Sequence, residues 1–193
     1  MNIVNVGYDS TNYYVIEQGR QRLLVDVGWP GTLAKMRGSL KRKGLAIEDL
    51  TYMFATHYHP DHAGLVQDLK QLGVKHLVFE QQVAAVPQLR THMKPDSGYI
   101  GIRLDGSLRL KTTESRAWLE AIGLAGEMVS TPGHSDDSIT LVLDEGLAFT
   151  GDLTAPGMFE GAQGDLIAQS WAKLRALNVH TIYPGHGPMR PLR

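Results

Sequence analysis

The chain contains no cysteine. That excludes disulfides, thiolate metal ligands and a cysteine nucleophile, and it fits a reducing compartment. No stretch approaches the roughly 18 consecutive apolar residues of a membrane span. The N-terminal MNIVNVGYDS lacks the basic segment and long apolar run of a signal peptide, so a cytoplasmic location without a membrane partner is the expectation. Neither sign of charge is in excess: 19 Lys and Arg against 20 Asp and Glu give a net charge of -1. Bulk electrostatics therefore point to no nucleic-acid partner. Low-complexity tracts, fixed-period repeats and the Gly-x-Ser-x-Gly of serine hydrolases are missing too. What remains is 193 residues, 42% of them hydrophobic. That is the size of one domain with a real core, expected to span residues 1–193.

The pattern opens with strands and then alternates helices with strands. YYVIE (residues 13–17) and RLLVDV (22–27) read as a hairpin. Residues 32–43 place Leu33, Met36 and Leu40 at helical spacing before Gly44, and the KRK at its end is a solvated helix terminus. LTYMFAT is a strand, residues 62–72 a helix, and VKHLVF a further strand. Residues 80–111, with two prolines and several glycines, predict a short helix and an irregular insertion. A helix over 113–122, the strand GEMVS, a hairpin from SITLVL to LAFTG, a helix over 165–177 and the strand VHTIY follow. Such mixing without a strict repeat suggests two sheets, or one large mixed sheet, covered by helices.

Five of the eight histidines fall in three short motifs, and a fourth motif adds an aspartate. THYHPDHAG supplies His57, His59, Asp61 and His62 directly after a strand. STPGHS supplies His134, FTGDL supplies Asp152 and YPGHGP supplies His186, each again at a strand end. Loops in such places present side chains from a rigid scaffold. Neutral imidazole with carboxylate suits a divalent metal such as zinc, iron or manganese.

These residues resemble the metallo-β-lactamase fold superfamily. Its hallmark is His-x-His-x-Asp-His, followed by a distant His, an Asp and a final His. LVDVG (24–28), TPGH, SITLV, FTGDL and YPGHG are similar to the glyoxalase-II-like branch, so the resemblance runs from the first hairpin to the last strand. It implies an α/β (α+β) fold class, a four-layer αββα sandwich with the site at one edge of two sheets. It implies two divalent metal ions, zinc first, with iron or manganese as alternatives. His57, His59 and His134 would hold one, Asp61, His62 and His186 the other, and Asp152 would bridge them. Asp26 matches a buried aspartate that steadies the metal loop; its other reading is simply to close the turn before Gly28.

Two metals close together lower the pKa of a shared water and polarise a carbonyl. The expectation is a dinuclear hydrolase cleaving an ester, thioester or lactone of a small-molecule substrate with a metal-bridging hydroxide. Asp61 and Asp152 are the catalytic carboxylates, and either Asp61 or a metal-bound water returns the proton. Tyr58 and Tyr99 are candidate oxyanion donors by position. The rivals are a mononuclear-iron persulfide-dioxygenase-like oxidoreductase, a non-catalytic metabolite-binding protein and a β-lactamase. A homodimer is a common arrangement for such enzymes. Glyoxalase II continues into a helical extension where this sequence stops, so glutathione is not the expected thiol. Asp136 and Asp137, beside His134, replace the branch's usual residues and bear on the charge around it. Met93, Tyr99 and Ile100, with Met158 and Phe159, are expected to wall the pocket or else to close the core. His76 and His180 read as structural strand residues, and His92 as a solvated loop histidine, its other reading being to line a pocket.

Overall fold

The computed structural model describes residues 1–192. Six strands form the first sheet in the order β1-β2-β3-β4-β5-β6: β1 (Asn2–Asn5), β2 (Tyr14–Gln18), β3 (Gln21–Val25), β4 (Tyr52–Phe54), β5 (Lys75–Phe79) and β6 (Leu108–Leu110). Five form the second in the order β11-β10-β9-β8-β7: β7 (Gly126–Ser130), β8 (Ile139–Leu143), β9 (Leu147–Gly151), β10 (Thr181–Pro184) and β11 (Arg190–Pro191). The helices are α1 (Leu33–Arg42), α2 (Pro60–Ala63), α3 (Val66–Gln71), α4 (Ala85–Gln88), α5 (Ser115–Ala121) and α6 (Gly161–Ala176). None among the described residues is long and apolar enough to cross a membrane.

The layers follow from the two-residue period of a strand, which sends alternate side chains to opposite faces. Val15, Leu24, Met53 and Val78 face outward onto Met36 and Leu40 of α1 and Val66 and Leu69 of α3. Their neighbours Ile16, Leu23, Phe54 and Leu77 face inward and meet Ile139, Leu141 and Phe149 of the second sheet. Val142 and Ala148 turn to the far side and pack on Ile167, Trp171 and Leu174 of α6. The result is helices, sheet, sheet, helix: the αββα order expected. Full burial of such apolar side chains contributes about 1.5–3 kcal/mol each, so α6 is held by its packing.

Strand direction gathers the motifs. β3, β4 and β5 run parallel, so their C-terminal ends share one edge. β9 and β10 are parallel, and β7 reverses twice through β8 to run the same way. The loops carrying Asp26, the HYHPDH run, His134, Asp152 and His186 therefore leave from strands of common sense in each sheet.

Several boundaries differ from the sequence reading. The helix expected over 62–72 begins at Pro60 and breaks between α2 and α3, where Leu65 leaves helical backbone geometry with φ -100° and ψ 8°. α6 starts four residues earlier than expected, its first turn masked by Gly161 and Gly164. β1, β6 and β11 were not legible as strands. His76 lies in β5 as expected, whereas His180 is exposed and precedes β10.

Candidate metal centre

His57, His59 and His134 bring ligand-competent atoms together, as do Asp61, His62 and His186; a third group, His57, His62 and Asp152, joins the two. Within each group these atoms lie within 4.8 Å of one another, an arrangement that could hold a metal ion. His59 Nδ1 is 3.0 Å from both His57 Nε2 and His134 Nε2. His186 Nε2 is 3.2 Å from Asp61 Oδ2 and 3.3 Å from Asp152 Oδ2. All seven sequence-expected residues thus converge, with Asp152 between the two triads.

The donor set fits a divalent cation. His62 Nε2 and Asp152 Oδ1 are buried 3.3 Å apart, and among the described residues neither has a hydrogen-bond partner. Unpaired buried polar atoms are costly, and a cation between them would satisfy both. Burial opposes charge on His62, yet Asp26, Asp152 and Asp61 outweigh it and hold its pKa well above the ordinary value. The pocket therefore favours positive charge. His57, His59 and His134 go the other way: burial first, then their neighbouring imidazoles, push them down and leave neutral nitrogens, the form that ligates.

A surrounding shell orients the rings. Asp26 is buried and accepts bonds from Thr56 N–H (2.7 Å), Thr56 Oγ1 (3.1 Å) and His62 Nδ1 (2.8 Å). Its φ of 60° is one that aspartate tolerates better than most residues. Its carboxylate reaches Thr56 and aims His62, as expected of an aspartate that steadies the loop, and makes no bond to the turn before Gly28 among the described residues. The Ser10 carbonyl lies 2.7 Å from His186 Nδ1, and Thr11 Oγ1 donates to Asp61 Oδ2 at 3.0 Å. Asp137 Oδ2 accepts the N–H of Tyr58, between His57 and His59, at 2.7 Å. Buried Gln82 donates to the carbonyls of Ala55, Thr56 and Asp137, tying the two ligand loops together. Gln82, Ser10 and Thr11 were missed, since a polar residue far away in sequence carries no local signal of such a bond.

Two glycines permit this crowding. Gly151 has a φ of 52° and abuts the Thr56 side chain. A Cβ on Gly185 would strike Asp152 Oδ1 and come within 2.7 Å of His62 Cε1.

Other expectations are corrected. The Tyr58 hydroxyl bonds His76 Nε2 at 2.9 Å inside the core, so it faces away from the centre. Burial pushes His76 down to about 3, and its Nδ1 lies 3.0 Å from Ser107 Oγ. Tyr99 and Met93 pack on the first core layer. The wall beside His59 comes instead from Ala84, Ala85, Gln88, Leu89 and His92, across from Asp136, around a groove of about 300 Å³. Met158 does line the other side, in a cavity of about 410 Å³ with His134, Asp152 and His186.

Residues 6–186 match the family model of the metallo-β-lactamase superfamily. The chain is 28% identical over 200 residues to a probable metallo-hydrolase of Methanocaldococcus jannaschii, covering 94% of this chain and 89% of that protein. It is 29% identical to an atrochrysone carboxyl ACP thioesterase of Aspergillus fumigatus, over 92% of this chain and 50% of the relative. The chain thus spans about half the length of that fungal relative. The metallo-β-lactamase of Cronobacter sakazakii superposes with a TM-score of 0.74 at 18% identity, over 96% of this chain and 78% of the other. The chain belongs to the metallo-β-lactamase superfamily. Its fold and metal-competent clusters are those of a metal-dependent hydrolase.

Proposed function

We propose that this protein is a dinuclear hydrolase of the glyoxalase-II-like branch that cleaves an ester, thioester or lactone. The observation that supports it most is the pair of triads sharing Asp152, with the facing atoms of His62 and Asp152 left without partners. His57, His59 and His134 would hold one ion, Asp61, His62 and His186 the second, and Asp152 both. Zinc is the first choice for an imidazole-carboxylate set, ahead of iron or manganese. Bound there, the ions supply an activated water and a Lewis acid for the substrate carbonyl.

The protein's residues do the rest. Asp26, Thr56 and the Ser10 carbonyl fix ring orientation, which keeps ligand nitrogens aimed inward. Asp61, held by Thr11, or a water bound at the centre would return the proton to the leaving group. The groove beside His59 and the cavity beside Met158 flank the centre and would take the two halves of a carbonyl substrate. The thioesterase among the relatives favours an acyl thioester within this class.

The test is a panel of thioesters, lactones, simple esters and β-lactams with zinc-loaded protein. Turnover of at least one thioester or lactone is expected, lost in His57→Ala and Asp152→Ala while the circular dichroism stays native. Full activity in both variants would sink the mechanism. Oxygen uptake with a persulfide, by protein holding one iron, would replace it with the oxidoreductase.

A further inference from the structure

Arg190 stands four residues beyond His186, yet the fold returns it to the centre. β11 pairs antiparallel with β10, which sets Arg190 opposite Ile182. From there Arg190 lines the cavity that holds His134, Asp152, His186 and Met158. It also lines a second cavity of about 530 Å³, with Pro156, Trp171, Arg175, Pro191 and Leu192. Arg190 is common to the linings of both spaces.

The guanidinium is prepositioned. It lies over the Trp171 ring, 5.6 Å from its centroid. Trp171 is itself fixed, buried and donating from Nε1 to the Thr154 carbonyl at 2.8 Å. Stacking of this kind holds the plane and leaves the edge N–H groups free. Among the described residues no carboxylate pairs with Arg190. Arg116, by contrast, is held by Asp144 and Glu127.

We infer that Arg190 is a specificity-determining residue that binds an anionic oxygen group, carboxylate or phosphate, on the arm of the substrate beyond the scissile carbonyl. This rests on the reading of the centre as the site of carbonyl hydrolysis. A carbonyl at the triads leaves one arm running past Met158 toward Arg190, and the second cavity extends that path for a long arm. A planar fork matches both carboxylate and phosphate, and such charge-assisted bonds are the strong ones.

The experiment uses three non-hydrolysable thioethers of one acyl group, whose thiol arms end in a neutral amide, a carboxylate or a phosphate monoester. Their dissociation constants are measured by calorimetry on zinc-loaded wild type, Arg190→Gln and Arg190→Lys. The quantity read is the affinity of each anionic compound relative to the neutral one, since attraction to the metals is common to all three proteins. Arg190→Gln should lower that ratio about tenfold or more for at least one anion, and Arg190→Lys should restore part of it. The anion whose ratio falls further identifies the group recognised. A ratio within twofold of wild type for both anions overturns the inference. The matching thioesters separate the two claims: if none is hydrolysed while the ratio still depends on Arg190, the reaction assignment fails and the anion site stands.

Discussion

Replacing Asp26 by Asn tests whether the buried carboxylate sets the chemistry of His62 or only shapes a turn. The substitution is nearly isosteric. Asp26 Oδ1 accepts the Thr56 N–H at 2.7 Å, so the Asn carbonyl must face that way to avoid two opposed donors. Its NH2 then points at His62 Nδ1, which sat 2.8 Å from a carboxylate oxygen. His62 can accept that bond only by moving its proton to Nε2, the atom aimed at Asp61 and Asp152. A protonated Nε2 has no lone pair to give a metal. Losing a hydrogen bond to a charged group costs about 1.5–3 kcal/mol, and loss of an orienting partner typically weakens metal affinity about 10–100-fold. The assay is a zinc titration against a chromophoric chelator, resolving two binding steps. One step should weaken by about 10–100-fold and the other change little. Two steps within twofold of wild type would refute the reasoning and reduce Asp26 to a turn residue.

Other expectations come from neighbouring contacts. Gly185→Ala pushes a methyl against Asp152 and His62, so zinc content and turnover should both fall, turnover at least tenfold; wild-type values for both would show that the loop yields freely. Tyr58→Phe should leave kcat/KM nearly unchanged while costing about 1–3 kcal/mol in urea unfolding, because its hydroxyl serves buried His76 and not a substrate; a large drop in kcat with normal stability would restore the oxyanion role. His76 is neutral when folded, with a pKa held below that of the unfolded chain, so its contribution is complete above pH 6.5 and is lost as pH falls toward about 3. Stability should decline there by up to about 1.4 kcal/mol per pH unit from this group, and His76→Gln should flatten that arm; an unchanged slope would contradict it.

The residues that converge in the candidate centre were legible because each motif is short and local. His57, His59, Asp61 and His62 lie within six residues, and Asp152 and His186 each sit beside a glycine that the packing requires. Strand alternation left two sheets or one large mixed sheet open, and the family resemblance pointed to two. What was not legible depends on contacts across the chain. Tyr58 lies between His57 and His59, and only the fold shows it turned to His76. Gln82 reads as a loop residue until its amide is seen spanning the carbonyls of two distant segments. β6 and β11 have three and two residues, too few for a periodic signal, and exist because β5 and β10 offer them an edge. Arg190 was missed for the same reason: β11 is what brings it back.

The most direct measurement is the metal content of chelator-free protein by elemental mass spectrometry, on wild type and on His186→Ala. Wild type should carry close to two divalent ions per chain, and His186→Ala close to one, with His57, His59 and His134 still filled. Wild type without bound metal, or two ions retained in His186→Ala, would contradict the assignment of two triads joined by Asp152.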